Sequence, residues 1–325
     1  MMNELPQMNR VSIRATARLH LGFFDLNAEL GRKFGSLGIA LTQPATQLAA
    51  CKSEGVYITG EDSARAEKLL RHLMTALAIP ATQGATIHIA QAIPPHAGLG
   101  SGTQLALAIG MAYSALYGLN LQPNEIAQLT ARGARSGIGV GAFMHGGVIV
   151  DGGRGENTLV PPIIARAEFS ADWRIILIMD AGHQGLCGEQ EVDAFKQLAS
   201  VPSHVAEKLS RQVLMQALPA LAEQDLAGFG AAVQALQIAT GDYFAPAQGG
   251  RYASQKVANV LHSLENQGVH CVGQSSWGPT GFAIVASEDE AVERVKALIA
   301  QFEGETSLSF VITSGAQCGV MVESN

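Results

Sequence analysis

The chain has little of what marks secreted, membrane-spanning or zinc-binding proteins. Its 4 cysteines lie far apart in 325 residues, with no C-x-x-C pair and no paired Cys/His spacing, which argues against a disulfide framework and a structural zinc site. The first ten residues lack the charged-then-apolar layout of a signal peptide, and no apolar run approaches the ~18 residues that cross a bilayer. These absences predict reduced thiols in a cytoplasmic protein that does not span a membrane.

Charged residues are also scarce, at 15% of the chain, and they are unevenly spread. Residues 1–150 carry 11 basic and 8 acidic side chains, a balance of +3, which leaves 10 basic and 20 acidic side chains, a balance of −10, for residues 151–325. A chain of net charge −7 without a cluster of Lys and Arg is a poor binder of nucleic acid. The asymmetry favours an anionic ligand in the N-terminal half.

Apolar residues and glycine are plentiful, at 47% and 36 residues, which is typical of an enzyme with a large core and many tight turns. Hydrophobic periodicity predicts the elements of the first half. They are a strand over 11–26, a turn-rich stretch over 27–38, a helix over 63–79, a strand over 85–93, a helix ended by Gly118, a helix over 123–134 and a loop entering a hairpin over 136–153.

The second half begins after a polar, glycine-rich and proline-marked stretch at 151–165, which predicts a domain boundary. A buried strand over 173–180 and helical patterns through most of 189–266 come next, and the last sixty residues are ordered strand, turn, strand, helix, strand. The fold class is therefore α+β, and we expect one domain over 1–155 and a second over 156–325.

Residues 93–110, IPPHAGLGSGTQLALAIG, predict a glycine-rich loop that leads into a helix N-terminus. Backbone N–H groups of such a loop crowd onto phosphate oxygens, and the helix dipole adds to the attraction. An ordinary capped turn explains the same residues. The segment lacks the G-K-[ST] of a P-loop, and the spacing of a dinucleotide fingerprint is absent.

This loop resembles the P-x-x-x-G-L-G-S-[SG] motif of the GHMP kinase superfamily, which includes galactokinase, homoserine kinase and mevalonate kinase. ATARLHLGFFDL (15–26) is similar to the first motif of that superfamily, and GQSSWGPTGFAIV (273–285) to its third, which lies under the loop. The resemblance implies a two-domain fold, with an N-terminal domain like ribosomal protein S5 and a ferredoxin-like C-terminal domain.

One superfamily feature is missing. Where mevalonate-type kinases carry an aspartate that deprotonates the substrate hydroxyl, SGIGVGAFMHGG (136–147) has Gly139. Glycine accepts no proton. His145 is a candidate substitute base, although a lone histidine is more often structural.

A narrower resemblance accounts for this loss. RLHLGFFDL, ELGRKFGSLGIAL, HAGLGSGTQLALA, GLCGEQEVDAF and GQSSWGPT together resemble the β-ribofuranosylaminobenzene 5′-phosphate synthase family of the same superfamily. Its members transfer phosphoribose from phosphoribosyl pyrophosphate to the ring of 4-hydroxybenzoate or 4-aminobenzoate and release pyrophosphate and CO₂. The resemblance implies this activity, Mg²⁺ on the pyrophosphate and a homodimer.

The resemblance also assigns roles to residues of this chain. Arg18, His20, Asp25 and Glu189 are expected to be catalytic, and Asp25 and Glu189 also to ligate the metal. Arg32 is expected to reach an anionic group, and Ser275, Ser276 and Trp277 to line the aromatic pocket. The phosphate contacts are expected from Gly98, Leu99, Gly100, Ser101, Gly102, Thr103 and Gln104.

Structural explanations compete with several of these roles. Arg32 fits a solvated turn, Trp277 fits ordinary packing, and Glu189 on a first helical turn gains from the helix dipole without any function. An ATP-dependent GHMP kinase with a displaced base, and an idle binding relative, are the competing functions.

Overall fold

A computed structural model describes residues 10–183, 185, 198, 201–276 and 278–324 of the chain. These residues form two β-sheets, one of seven strands and one of four, with helices packed on and between them. Because residues of both sheets share one buried hydrophobic cluster with the helices between them, the two halves are joined by a common core.

The seven-stranded sheet is built on a long antiparallel pair. β1 (Val11–Asp25) runs against β2 (Phe34–Ser53), and the order along the sheet is β11-β1-β2-β4-β3. β5 pairs with the first part of β2, and β6 with β5. The remaining strands are β3 (Tyr57–Gly60), β4 (Gly84–Gln91), β5 (Val148–Asp151), β6 (Ile163–Ala167) and β11 (Met321–Ser324).

Four helices accompany this sheet: α1 (Ser63–Ala76), α2 (Ser101–Tyr117), α3 (Pro123–Leu129) and α4 (Ile138–His145). The helix predicted after the loop is confirmed as α2, and Gly118 ends it in the left-handed conformation. Apolar side chains at helical spacing along α2 are buried: Leu105, Ala108, Ile109, Ala112 and Leu116.

The loop predicted over 136–153 is wrong in its first part, since Ile138–His145 is helical. Glycine has a low helix propensity, so a segment rich in glycine is predicted to be a loop. Tertiary packing overrides it, because Ile138, Val140 and Phe143 are buried. The carboxylate of Asp151 also accepts the N–H of Gly137 at 2.9 Å and so supports the start of α4.

The second sheet is antiparallel, with the order β10-β7-β9-β8. Its strands are β7 (Arg174–Asp180), β8 (Val272–Gln274), β9 (Gly281–Val285) and β10 (Leu308–Thr313). α8 (Gln255–Asn266) and α9 (Glu288–Gln301) share a hydrophobic cluster with this sheet. The predicted strand–turn–strand–helix–strand order is confirmed.

The helical segment before α8 contains α5 (Ser203–Gln212), one π-helical turn (Val213–Ala217), α6 (Leu218–Glu223) and α7 (Leu226–Gln248). These helices contribute to the cluster that both sheets share. The predicted helical character is thus confirmed over the described part of 189–266.

The domain division at residue 155 stays a prediction. β6 and β11 lie after that residue in sequence, yet both pair within the seven-stranded sheet, β11 through Val11–Arg14 of β1. Nowhere in the described ranges is a helix both long and apolar enough to cross a membrane.

Candidate active site

The glycine-rich loop presents backbone N–H groups at the start of α2. Gly98 and Gly100 have φ angles of 78° and 82°, a left-handed conformation that favours glycine. Gly100 O accepts the N–H groups of Thr103 and Gln104. In the described parts of the chain, no backbone acceptor binds the N–H groups of Ser101 and Gly102. No side chain of the described residues caps α2 either, which argues against an ordinary capped turn. The first turn of α2 is therefore able to bind an anion.

The third motif lies directly against this loop, as the sequence predicted. A Cβ on Gly278 would stand 2.2 Å from Cα of Gly98, so only two glycines allow the approach. Ser275 is fully buried, donates from Oγ to Gly98 O at 2.6 Å and accepts the N–H of His20 at 3.1 Å. This turn therefore fixes the loop to β1.

β1 brings two predicted residues to the loop. Nη1 of Arg18 donates to Gly98 O at 2.5 Å, and Nδ1 of His20 lies 2.8 Å from Oγ of Ser276. Nε2 of His20 is buried and has no partner among the described residues. Burial lowers the pKa of His20 well below its usual value, and the charges of Arg18 and Arg135 act in the same direction. His20 is thus a neutral imidazole with one ring nitrogen available.

Three further arginines come near this region, and the sequence analysis did not single them out. Nη1 of Arg65 lies 3.4 Å from Oγ of Ser101, and Arg65 also pairs with Asp62. The guanidinium of Arg132 lies against Gly102. The charge of Arg135 acts on His20. The weak signal for two of them was the ARGAR segment at 131–135, but an arginine in a solvated turn has the same pattern.

Other predicted residues lie in different surroundings. Leu99 is buried in the core, and Gln104 is buried with Nε2 donating to Gly139 O at 2.7 Å. Arg32 donates from Nε to Gly152 O at 2.8 Å and from Nη2 to Gly153 O, so it fastens a turn beside β2. Glu189 and Trp277 lie outside the described residues.

Asp25 lies five residues beyond His20 on β1, about 16 Å along the strand at the usual rise. Its Oδ1 accepts the N–H groups of Asn27 and Ala28, which closes a turn at the strand end. In the part of the chain that the structure describes, no group of three or more His, Cys, Asp or Glu side chains is arranged to hold a metal ion. The groups at the loop are guanidiniums, hydroxyls and backbone amides, which suit an anion.

No carboxylate stands at the kinase-base position. Gly139 lies on the first turn of α4, and a Cβ there would stand 3.1 Å from Cγ2 of Thr103, so the space beside the loop is filled. The candidate substitute His145 is exposed on the last turn of α4, about 9 Å further along the helix axis. It does not replace the base at the loop.

Family comparisons agree with this geometry. Residues 64–147 match the GHMP kinases N terminal domain, and residues 217–304 match the GHMP kinases C terminal family. Among solved structures, Lactococcus lactis galactokinase complexed with galactose has a TM-score of 0.71 at 16% identity, covering 96% of this chain and 95% of that one. Mevalonate diphosphate decarboxylase from Staphylococcus aureus has a TM-score of 0.66 at 13% identity, covering 97% and 98%. At these identities the likeness shows the fold.

Curated relatives narrow the assignment. The β-ribofuranosylphenol 5′-phosphate synthase of Archaeoglobus fulgidus is 35% identical over 87% of this chain and 90% of its own length. The protein of the same name from Methanothermobacter thermautotrophicus is 30% identical over 95% and 98%. A 4-diphosphocytidyl-2-C-methyl-D-erythritol kinase of Synechococcus is 27% identical over 74% and 70%. The chain belongs to the β-ribofuranosylphenol 5′-phosphate synthase family, within the GHMP kinase superfamily.

Proposed function

We propose that this chain transfers phosphoribose from phosphoribosyl pyrophosphate to the ring carbon that bears the carboxylate of 4-hydroxybenzoate. The bond from ribose C1 to the pyrophosphate oxygen breaks, and its electron pair leaves with pyrophosphate. The ring carbon forms the new C–C bond to C1, and the C–CO₂ bond breaks to restore the aromatic ring. The products are a β-ribofuranosylphenol 5′-phosphate, pyrophosphate and CO₂, so the chain is a decarboxylating pentosyltransferase, with a role in tetrahydromethanopterin biosynthesis.

The observation that carries this proposal is an anion-binding loop with Gly139 at the position where mevalonate-type kinases carry their aspartate base. No hydroxyl proton is removed in this scheme. The reaction therefore needs no base in the space that Gly139 and Thr103 fill. It does require stabilisation of a polyanionic leaving group, which the Ser101 and Gly102 amides and the nearby guanidiniums supply. Electron donation from the para substituent helps the ring carbon to attack.

The names of the relatives favour one of the two para substituents. The sequence left hydroxyl and amino open, and the names of the curated relatives describe a phenol product. We therefore propose 4-hydroxybenzoate as the preferred acceptor over 4-aminobenzoate. A competition between the two acceptors at equal concentration measures this preference.

The proposal treats Mg²⁺ as a partner of the pyrophosphate. The described residues do not assemble a metal site, and Mg²⁺ commonly binds through substrate phosphates with few protein ligands. No step is therefore assigned to a metal held by the protein. Activity lost in EDTA and restored by Mg²⁺ supports this part of the proposal.

The decisive experiment follows the carboxyl carbon. Purified protein with phosphoribosyl pyrophosphate and carboxyl-labelled 4-hydroxybenzoate should release labelled CO₂ and an equal amount of pyrophosphate, and should release neither without the sugar donor. Absence of labelled CO₂ with both benzoates overturns the proposal. ADP formation from ATP with an alcohol substrate would identify a kinase instead.

A homodimer and a cytoplasmic location belong to the same proposal. The homodimer rests on the family resemblance, and light scattering coupled to size-exclusion chromatography measures it. Fractionation of source cells tests the location.

A further inference from the structure

Arg65 and Arg132 lie at the first turn of α2 and differ in their carboxylate partners. Arg65 near Ser101 is paired with Asp62. Arg132, in contrast, has no carboxylate partner among the described residues. A guanidinium taken partly out of water without a counter-charge is costly unless a ligand supplies one.

Arg132 lies flat on the loop. A Cβ at position 102 would stand 3.2 Å from its Nη1, 3.5 Å from Cζ and 3.8 Å from Nη2, so the whole guanidinium covers the α-carbon of Gly102. Its Nε is buried without a partner among the described residues. Burial and the neighbouring charge of Arg65 lower the pKa of Arg132. A side chain at 102 would press on this guanidinium, which would have to shift by a few tenths of an ångström.

A second guanidinium approaches the loop at Gly100. A Cβ on Gly100 would stand 3.2 Å from Nε and 3.3 Å from Cζ of Arg18. Arg18 and Arg132 thus contact positions two residues apart in sequence, one on each side of Ser101. Guanidiniums bind phosphate oxygens through paired donors, so this arrangement offers more positions than one phosphate group fills.

We propose that Arg132, supported by Arg65, holds the pyrophosphate end of the sugar donor and makes the site selective for a diphosphate over a monophosphate. This inference rests on the proposed function for the identity of the donor. Arg132 acts as a specificity residue: it stabilises the leaving group and takes no part in bond making at C1. Gly102 is the position against which its guanidinium packs.

Calorimetry with inorganic pyrophosphate, inorganic phosphate and ADP tests the assignment without turnover. In Arg132→Met the dissociation constant for pyrophosphate should rise at least tenfold, while that for phosphate should change less than threefold. Arg132→Lys should recover part of the loss, because it restores the charge without the paired donors.

The matched control is Arg71→Met on the same helix as Arg65. Arg71 is exposed and paired with Glu67, so its loss should leave pyrophosphate binding unchanged. Thermal melts of every variant check folding, and Arg132→Lys provides the test if Arg132→Met does not fold.

Three outcomes overturn the inference. Pyrophosphate affinity could be unchanged in a folded Arg132 variant. Phosphate and pyrophosphate affinities could fall equally, which would make Arg132 a support of the loop. The wild type could bind ADP at least tenfold more tightly than pyrophosphate, which would make this a nucleotide site. A wild type that binds pyrophosphate selectively through Arg132 but releases no labelled CO₂ would contradict the proposed function alone.

Discussion

Single residues around the loop are held by contacts that leave little freedom. His20 is 4% exposed, and its neighbours are Phe23, at 4.5 Å between ring centroids, Ser276 and the arginines Arg18 and Arg135. Both arginine charges and the apolar surroundings oppose protonation of the imidazole. The protonation state of the His20 ring is therefore coupled to the stability of the fold.

The pH dependence of stability should reveal this coupling. Because the folded pKa of His20 lies below its unfolded value of about 6.5, its contribution is complete above that pH and is lost as pH falls toward the folded pKa. His20→Asn should flatten the fall by up to about 1.4 kcal/mol per pH unit. Urea unfolding at several pH values below 7 measures the slope. Exposed His204→Asn is the control, and an unchanged slope in His20→Asn would contradict the prediction.

Substitution of Gly278 should disturb the loop that this residue supports. A Cβ at this position would stand 2.2 Å from Cα of Gly98 and 2.4 Å from Ala97 O, so Gly278→Ala must displace the phosphate loop. Overpacking of this kind costs roughly 1–3 kcal/mol. We expect kcat/KM for phosphoribosyl pyrophosphate to fall by up to about 100-fold, which is the cost of misplacing groups at a site by about 1 Å. Gly304→Ala, which meets nothing within 4 Å, should retain wild-type kinetics. Equal kinetics for the two variants would be inconsistent with a fixed loop.

At the scale of elements, α4 shows how tertiary contacts create a helix from an unfavourable sequence. Asp151 at the end of β5 is fully buried and accepts hydrogen bonds from Ser36, Ser136, Gly137 and Gly153. Burial raises its pKa, although the four hydrogen bonds act in the other direction. One carboxylate thus ties β2, the start of α4 and the turn after β5 together.

Removal of that carboxylate should be costly. Asp151→Ala leaves the N–H groups of Gly137 and Gly153 without their acceptor, at about 1–3 kcal/mol for each buried group. Asp225→Ala, which removes an N-cap that accepts the N–H of Gly228 at 3.0 Å, should cost only about 1 kcal/mol. Urea unfolding at pH 7 compares the free energies of unfolding. Similar losses in the two variants would show that Asp151 is an ordinary cap.

At the scale of the whole molecule, α7 joins the two sheets next to the site. The buried side chain of Gln237 donates to Leu21 O at 2.6 Å and Gln274 O at 3.1 Å, and accepts the N–H of Gln274 at 2.7 Å. Thr240, one turn further on, accepts the N–H of Phe23. The helix therefore sets the position of the third-motif turn relative to β1.

Loss of this bridge should affect stability and catalysis together. Gln237→Ala leaves backbone groups of both sheets unpaired, and we expect about 1–3 kcal/mol of destabilisation for each. We also expect at least a tenfold fall in kcat/KM, because Ser275 follows Gln274 directly. Exposed Gln255→Ala is the matched control and should stay within about 0.5 kcal/mol of the wild type. Reduced stability with unchanged kcat/KM would show that the bridge does not position the site.

Much of the molecule follows from the sequence alone. The loop before α2, the helix end at Gly118, the sequence of elements in the last sixty residues and the family motifs are local patterns, and local patterns depend on neighbours a few residues away. Gly139 likewise excluded a base at its own position by its chemistry alone. The approach of the third motif to the loop was implied by the resemblance to the superfamily.

Tertiary structure decided which side chains meet. Arg65 and Arg132 reach the loop from separate segments. Arg32 and Asp25 belong to motifs that suggested a site, yet they bind backbone groups of nearby turns. In sequence, an arginine on a solvated face and one aimed at a ligand look the same, because the difference lies in what packs around the guanidinium. The helix at 138–145 has the same cause: burial against distant residues outweighed its local propensity.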